Sequence, residues 1–448
     1  GCGMFLLNVS MMQRLLSSFR GENLTARLVR AALGVGGLKL LYMPLTLLTS
    51  FVLARGLGPA GYGQYSFVLA VISLLSLPVG SGLAQLVTRE VAKYYHDEEW
   101  GQFRGLLHRA RQWIIIVSAV IAGIIVLLAA HNALWAVDDR WTLLFLGTLI
   151  LPLLGLNSLQ SATLRGLGNV FYAQLPEMSA RPGLNLVLAG GLLASGMLNP
   201  ASALVSQAAA TALAFGLGAW FLWRMKPAEV NQALQHYQHF EWGRALMPFF
   251  LLAAVGTLNG QLGILALGWL GTNEDVAAFK VAVSGAMLVM SSLSIVNMVI
   301  GPHITRAHRD NDLLRLQRLS RQSARAALAV SLPFAVLLIF FGGPIIEILY
   351  GGAYRSTATL PLAILAFGQL VNVAFGSVGL FLTMCGFERD TLIGQTSALL
   401  VNFIAAALLI PYLGAVGAAL SVVIGIVVWN VILTIRFLQR LGFRPSAF

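Results

Sequence analysis

The sequence predicts an all-α polytopic membrane protein with twelve transmembrane helices in two pseudo-symmetric six-helix lobes. Three observations support this: the composition, the alternation of apolar runs with positive charge, and an internal repeat. Of the 448 residues, 58% are hydrophobic and 10% are charged, whereas soluble proteins carry about 25% charged residues. Apolar runs of about 20 residues, enough to span a bilayer core, recur along the chain. We therefore expect a membrane protein and no nucleic-acid partner, despite the net charge of +12.

Polar turns separate the apolar runs into twelve predicted spans. The first turn, Leu57–Tyr65, is rich in Gly and contains Pro59, so the chain must reverse there. The predicted spans cover about 33–54, 65–87, 113–133, 141–163, 171 onward, 201–223, 245–270, 277–301, 326–349, 360–384, 391–411 and 414–435.

The positive charges lie mostly on one side of this predicted topology. Of 29 Lys and Arg residues, 23 fall in segments that face one side and four in segments that face the other, while Lys39 and Arg181 lie inside spans. Because cytoplasmic loops are enriched in Lys and Arg, we expect both termini to be cytoplasmic. The same pattern predicts a cytoplasmic amphipathic segment over 1–32, an inter-lobe linker over 224–244 and a cytoplasmic tail over 436–448.

Three pairs of similar segments, at offsets of 213, 220 and 215 residues, indicate an internal repeat. The repeat divides the chain into an N-lobe, 33–223, and a C-lobe, 245–435, related by an axis along the membrane normal. It also starts span 5 near Phe171. Arg181 is then about 15 Å inside the span, and Glu177 is placed to pair with it at i,i+4.

Four motifs resemble the Wzx-type oligosaccharide flippases of the multidrug/oligosaccharidyl-lipid/polysaccharide exporter superfamily. They are LGPAGYGQY at 57–65, LRGLGN at 164–169, IIEILYGGAY at 345–354 and GAVGAA at 414–419. The resemblance implies two six-helix bundles around a central cavity and transport by alternating access. It also implies that the protein is not an enzyme and lies in the bacterial inner membrane.

The implied substrate is an undecaprenyl-diphosphate-linked oligosaccharide, such as an O-antigen or other surface polysaccharide unit, moved from the cytoplasmic to the outer face. The resemblance also implies membrane lipids as partners. A polysaccharide polymerase and chain-length machinery are further candidate partners. Two other functions also stay open: an ion-coupled exporter of the multidrug and toxin extrusion type and, less favoured, a membrane polysaccharide polymerase.

A diphosphate crossing hydrocarbon needs cations along its path. We expect four candidate substrate-binding cations in the cavity: Lys39, Arg55, Arg181 and Lys280. Three further cations are candidates for the cytoplasmic mouth: Arg89, Arg165 and Arg306. Each of these residues also has an alternative interpretation. Lys39 and Lys280 can snorkel to a membrane interface, Arg55 can anchor the interface, and Arg181 can form a structural ion pair with Glu177. The three mouth residues can serve only as topology signals.

Other polar residues within the spans are mostly amides, which we expect to form interhelical hydrogen bonds, with a minority contacting sugar hydroxyls. These amides are Asn259, Gln261, Asn297, Gln369, Asn372, Gln395 and Asn402. Glu177 is the main carboxylate deep in a span and is the candidate for coupling to H⁺ or Na⁺. We expect no cofactor and no metal site, because Cys2 and Cys385 lack metal-ligand spacing.

Overall fold

The computed structural model describes residues 24–133, 139–237, 239–310 and 312–443, and every regular element among them is helical. Nine of the described helices are long and apolar enough to cross a membrane. Two of these nine contain a non-helical glycine and each correspond to two spans. One further span is built from shorter helical pieces. The twelve-helix, two-lobe fold predicted from the sequence is therefore confirmed.

The two long bent helices are Leu24–Leu75 and Glu388–Leu441. Gly58, at φ 66° and ψ 176°, ends span 1 and begins span 2. Gly414, at φ 52° and ψ −128°, separates spans 11 and 12 in the same way. Only glycine adopts such angles without strain, so the chain reverses at these two positions.

The remaining spans follow in chain order. Span 2 continues through the π-helical turn Leu77–Ser81 and the helix Leu83–His96. Span 3 is Trp100–Ala133, and span 4 consists of Asp139–Thr148 and Ile150–Gly166. Span 5 consists of Val170–Leu175, the π-helical turn Pro176–Ala180 and Arg181–Ala194. Span 6 is Pro200–Met225. Spans 7 to 10 are His239–Leu270, Asn273–Arg309, Leu313–Tyr350, and Arg355–Phe375 with Val378–Met384. Short helices at Glu229–Gln232 and Gly352–Tyr354 lie in two connections.

Several predicted loops are helical. The segments 88–112 and 303–325 each consist mainly of the end of one helix and the start of the next. The last helix also continues to Leu441, into the predicted tail. The cytoplasmic amphipathic segment predicted over 1–32 lies mostly outside the described residues, and its last part belongs to the helix that begins at Leu24. Hydropathy marks the membrane-spanning part of a helix, whereas the helix itself extends beyond the apolar core.

The repeat correctly located the start of span 5, because a helix begins at Val170. The helix ends repeat between lobes. The helix ending at His96 corresponds to the one ending at Arg309, 213 positions later, and the helix ending at Gly166 corresponds to the one ending at Met384, 218 positions later. We call the end of the bundle that carries these four positions the basic end, and the opposite end the far end.

The lobes meet tightly at the far end. The Tyr354 hydroxyl of the C-lobe donates to the Ala54 carbonyl of the N-lobe over 2.9 Å. Gly63 is so close to the Asn273 backbone that a Cβ atom would lie 1.8 Å from its carbonyl oxygen. A hydrophobic core that includes Leu53, Phe67 and Ala282 continues across this contact. The far end is therefore closed, which fixes the position of the space between the lobes.

Candidate functional site

A cavity of about 180 Å³ lies between the lobes, beneath the closed far end. We call it the inter-lobe cavity. Spans 1, 2, 5 and 6 of the N-lobe and span 8 of the C-lobe contribute to its wall. Its polar lining residues are Tyr42, Thr46, Thr49, Ser50, Tyr62, Tyr65, Arg181, Asn185, Gln207 and Lys280. Two of the four predicted cavity cations, Arg181 and Lys280, are therefore brought together.

One face of span 1 supplies much of the wall. Tyr42, Thr46 and Thr49 recur at intervals of four and three residues, which places them on one side of a helix. The two threonine hydroxyls donate to carbonyls of their own helix, Thr46 to Met43 over 2.9 Å and Thr49 to Leu45 over 2.7 Å. Their polar groups are thereby satisfied within the apolar span.

Neither cavity cation has an ion-pair partner within 4.0 Å among the described residues. Arg181 and Lys280 are both half-buried and line the same cavity. Two cations that share a desolvated space without a carboxylate form a site for an anion, because a bound anion would offset their mutual repulsion.

The predicted pair between Glu177 and Arg181 is wrong: no ion pair joins them. The physical reason lies in span 5, where the π-helical turn Pro176–Ala180 changes the side-chain register. The Arg181 N–H bonds to the carbonyl of Pro176, five residues back. Glu177 instead acts electrostatically on Arg165, at the basic end of span 4. Arg181 is thus left free to face the cavity.

Buried tyrosines close the cavity toward the far end. Tyr62 is 2% exposed and its hydroxyl lies 2.7 Å from the Ser50 Oγ. Its ring stacks on that of Tyr65 at 6.4 Å between centroids. From the C-lobe, the rings of Tyr350 and Tyr354 lie 6.2 Å apart. These four rings form a layer of aromatic groups from both lobes, which must separate before the cavity can open at the far end.

A second cavity, of about 390 Å³, lies inside the C-lobe. We call it the C-lobe cavity. Spans 7, 8, 10, 11 and 12 form it, and none of the described residues that line it is charged. Five of the seven amides singled out in the sequence line it: Asn259, Gln369, Asn372, Gln395 and Asn402. Gln261 does not line it, and Asn297 instead accepts a hydrogen bond from Ser377.

Two other predicted cavity cations lie outside the inter-lobe cavity. Arg55 is exposed at the far end and donates to the Ile348 carbonyl of the C-lobe, so it does not line the inter-lobe cavity in this structure. Lys39 is exposed and one helical turn before Tyr42 on the same face of span 1, toward the basic end. It therefore extends the polar stripe of the cavity without lining it.

The three predicted mouth residues all lie at the basic end but are not brought into one site. Arg89 bonds to the Glu90 carboxylate over 2.7 Å and lies 5.4 Å above the Phe249 ring of the C-lobe. Arg165 is half-buried in the last turn of span 4, and Arg306 is exposed near the end of span 8. Their role in substrate entry stays a prediction.

Sequence reasoning missed several polar groups of the inter-lobe cavity, chiefly the phenols of Tyr42, Tyr62 and Tyr65 and the amide of Asn185. A signal was present on span 1, where Tyr42, Thr46 and Thr49 form a polar stripe with helical spacing. For Tyr62 and Tyr65 there was a competing interpretation, since aromatic residues near a turn also mark the membrane interface.

Three solved structures share this fold. The first is the inward-facing conformation of a multidrug resistance MATE family transporter of the MOP superfamily, with a TM-score of 0.74 and 16% identity, covering 89% of this chain and 94% of that one. The second is the lipid II flippase MurJ in an inward closed conformation. Its TM-score is 0.73 at 13% identity, and the match covers 91% of this chain and 87% of that one. The third is a MOP superfamily transporter from Pyrococcus furiosus, for which a reverse polarity of the binding pocket is described. Its TM-score is 0.62 at 15% identity, and the match covers 95% of this chain and 97% of that one.

The chain therefore has the fold of these transporters and flippases, with the inter-lobe cavity between its two lobes. No curated protein sequence matches the chain. A family described as polysaccharide biosynthesis protein matches residues 52–359, more than half of the chain, and the chain belongs to this family. The family match agrees with the resemblance found in the sequence, and the fold is the one that this resemblance implies.

Proposed function

We propose that the protein translocates an undecaprenyl-diphosphate-linked oligosaccharide, an O-antigen or other surface polysaccharide unit, from the cytoplasmic to the outer face of the bacterial inner membrane. The single observation that carries this proposal is the pair of cations, Arg181 and Lys280, that share one inter-lobe cavity and have no carboxylate partner among the residues that the structure describes. The family membership supports a role in polysaccharide assembly.

The cation pair matches the main energetic problem of the transport. A diphosphate is too costly to move through hydrocarbon unaccompanied, because the charge loses its hydration. Arg181 supplies a guanidinium that binds phosphate oxygens in a fork, and Lys280 supplies a compact ammonium. Since one cation comes from each lobe, a bound diphosphate would hold the lobes together until they rearrange around it.

The closed far end fits one state of an alternating-access cycle. By the positive-inside rule the basic end is cytoplasmic, so the far end faces outward. The tyrosine layer of Tyr62, Tyr65, Tyr350 and Tyr354 then seals the outer face while the substrate enters from the cytoplasmic leaflet. A polysaccharide polymerase and chain-length machinery would receive the unit at the outer face.

Glu177 remains our candidate for coupling to H⁺ or Na⁺. It is half-buried in the π-helical turn of span 5, four residues before Arg181. A change in its charge would act on Arg165 directly and on the cavity through the same helix.

The alternative, export of small cationic drugs, is disfavoured by the cations of the inter-lobe cavity, which repel such cargo. Deleting the gene should therefore leave susceptibility to cationic drugs unchanged while lipid-linked glycan accumulates inside the cell. A rise in drug susceptibility without glycan accumulation would favour the exporter.

The test is the replacement of Arg181 and of Lys280 by Ala, with transport measured by restoration of surface polysaccharide in the deletion strain. We expect each variant to lose at least tenfold in transport, because removing one partner of a desolvated charge pair costs about 2–5 kcal/mol. Arg318→Ala is the matched control, since Arg318 is exposed at the basic end and removes the same charge.

Membrane insertion and protein level are measured in parallel for all three variants, so that loss of transport is separated from loss of protein. Full surface polysaccharide in both Arg181→Ala and Lys280→Ala would remove these cations from the mechanism and contradict the proposal.

A further inference from the structure

The C-lobe cavity and the inter-lobe cavity are neighbours along one helix. Lys280 lines the inter-lobe cavity, and Val283 and Met287, three and seven residues later, line the C-lobe cavity. This spacing places all three on one side of span 8. From Lys280 to Met290, the last residue of span 8 in the wall, the rise is about 15 Å. A ligand held by phosphate at Lys280 can therefore extend along span 8 to the C-lobe cavity.

The amides of the C-lobe cavity are held in place by one another. The Asn259 Nδ2 donates to the Gln395 backbone carbonyl over 3.1 Å. The Asn430 Nδ2 donates to the Asn372 Oδ1 over 2.8 Å, and Asn372 in turn contacts the Gln369 side chain at 3.4 Å. The first bond joins spans 7 and 11, the second joins spans 10 and 12, and the third lies within span 10. The cavity wall is thus a preorganised set of amide groups.

Two carbonyl oxygens of this wall have no hydrogen-bond donor among the described residues. They are the Oε1 of Gln395 and the Oδ1 of Asn402. Asn402 is only 4% exposed, and a buried acceptor without a donor costs about 1–3 kcal/mol. Because both residues line the C-lobe cavity, a ligand within it that carries hydroxyl or amide N–H groups can supply the missing donors.

The rest of the wall suits a sugar ring. Trp429 contributes an indole, and it is fixed by close packing: a Cβ atom on Gly379 would lie 3.2 Å from its ring. An aromatic face beside a few convergent polar groups is the usual composition of a small-ligand site. Met287 is 55% exposed, so the cavity is accessible from its span 8 side.

We propose that the C-lobe cavity is a subsite for the sugar next to the diphosphate, and that it selects an uncharged sugar bearing hydroxyl or N-acetyl groups. This inference rests on the proposed function, since the diphosphate bound by Arg181 and Lys280 is what brings the sugar to the cavity. The described part of the wall contains no charged group, which disfavours acidic and basic sugars, because their charges would be desolvated without a partner.

The test compares two soluble probes on the purified full-length protein in detergent: farnesyl diphosphate, and farnesyl diphosphate carrying one N-acetylglucosamine. Binding is measured by isothermal titration calorimetry. We expect the sugar to increase affinity about tenfold in the wild type, the scale of one or two hydrogen bonds to buried acceptors. Asn402→Leu and Gln395→Leu should each remove this gain and leave the affinity for farnesyl diphosphate unchanged.

Gln261→Leu is the matched control, because Gln261 is an amide on span 7 that does not line the cavity. In this variant the sugar should still increase the affinity for farnesyl diphosphate about tenfold. Thermal unfolding of each variant shows whether it is folded, and having two independent cavity variants protects the test if one is not.

Equal affinity of the wild type for the two probes would overturn the subsite while leaving the proposed function intact. Failure of the wild type to bind farnesyl diphosphate at all would contradict the proposed function itself. Sodium is the competing ligand for the same two oxygens. A sodium-dependent rise in Tm that Asn402→Leu abolishes, with no gain from the sugar, would assign the site to a cation and overturn the proposal.

Discussion

The two lobes share a helical repeat but differ in the chemistry of their interiors. The N-lobe supplies Arg181 and most of the hydroxyl and phenol groups of the inter-lobe cavity. The C-lobe encloses a cavity lined by amides and Trp429, with no charged residue in its wall. A common backbone therefore carries two different binding surfaces, and Lys280 on span 8 lies where they meet. The two lobes therefore share the arrangement of their helices, whereas a few side chains that differ between them determine what each lobe can bind.

The two lobes touch each other at the far-end turns. Replacing Gly63 by Ala tests whether this contact must form and break during transport. A Cβ atom there would lie 1.8 Å from the Asn273 carbonyl oxygen, so the turns must move apart. We expect at least a tenfold loss of transport and a protein shifted toward an open far end.

The opening is measured by labelling Ser50→Cys from outside with a membrane-impermeant maleimide, in a background with Cys2 and Cys385 replaced by Ser. Labelling should rise in Gly63→Ala. The control is Gly190→Ala, a span 5 glycine with no atom within 4 Å of the added Cβ. Unchanged labelling in Gly63→Ala would mean that the lobes do not need this contact to close.

A second comparison concerns how each lobe holds its last two spans together at the basic end. In the C-lobe, the buried Asp390 carboxylate accepts from the Arg440 Nε over 2.9 Å and lies 3.8 Å from Arg436. At the equivalent position 218 residues earlier, the N-lobe has Tyr172, whose ring packs 5.1 Å from that of Phe221. One lobe uses an ion pair where the other uses an aromatic pair.

Asp390→Asn should therefore destabilise the protein more than Tyr172→Leu. We expect about 1–3 kcal/mol for Asp390→Asn, below the value for a fully buried pair because about half of each arginine side chain is exposed. For Tyr172→Leu we expect about 0.5–1.5 kcal/mol. Unfolding in detergent measures both, and Glu388→Gln, at an exposed carboxylate on the same helix, is the control. A larger effect at Tyr172 would reverse the comparison.

The sequence predicted the number and order of the spans because hydropathy and charge asymmetry depend on the bilayer alone. It also located the start of span 5, since the repeat transfers a boundary from one lobe to the other. It could not predict the π-helical turn at Pro176–Ala180, which removes the expected pair of Glu177 with Arg181. That turn depends on how span 5 packs against its neighbours, which no local pattern records.

The candidate site was partly predictable for a similar reason. A charged residue deep in a span is costly, so Arg181 stood out in the sequence, whereas Lys280, one turn inside span 8, was a weaker candidate. Arg55, at the end of span 1, was the weakest of the cavity candidates. Its partner is the Ile348 carbonyl in the other lobe, and a contact between lobes leaves no trace in local composition. The amides of the C-lobe were visible one by one, whereas their convergence on one cavity required the packing of five spans.

The smallest expected effect is at Lys39, which tests whether the cationic path of the N-lobe extends beyond its cavity. Lys39 is exposed and one turn from Tyr42, so water screens its attraction for a phosphate. We expect Lys39→Ala to weaken apparent substrate affinity about threefold, equivalent to about 0.7 kcal/mol, without changing the maximal rate. Flipping by purified protein in liposomes, measured over a range of lipid-linked oligosaccharide concentrations, separates the two quantities. Lys39→Arg should restore affinity because it keeps the charge. A loss of transport in Lys39→Ala as large as that in Arg181→Ala would instead place the main diphosphate site nearer the basic end. The boundary between the diphosphate site and the sugar subsite would then also lie nearer the basic end.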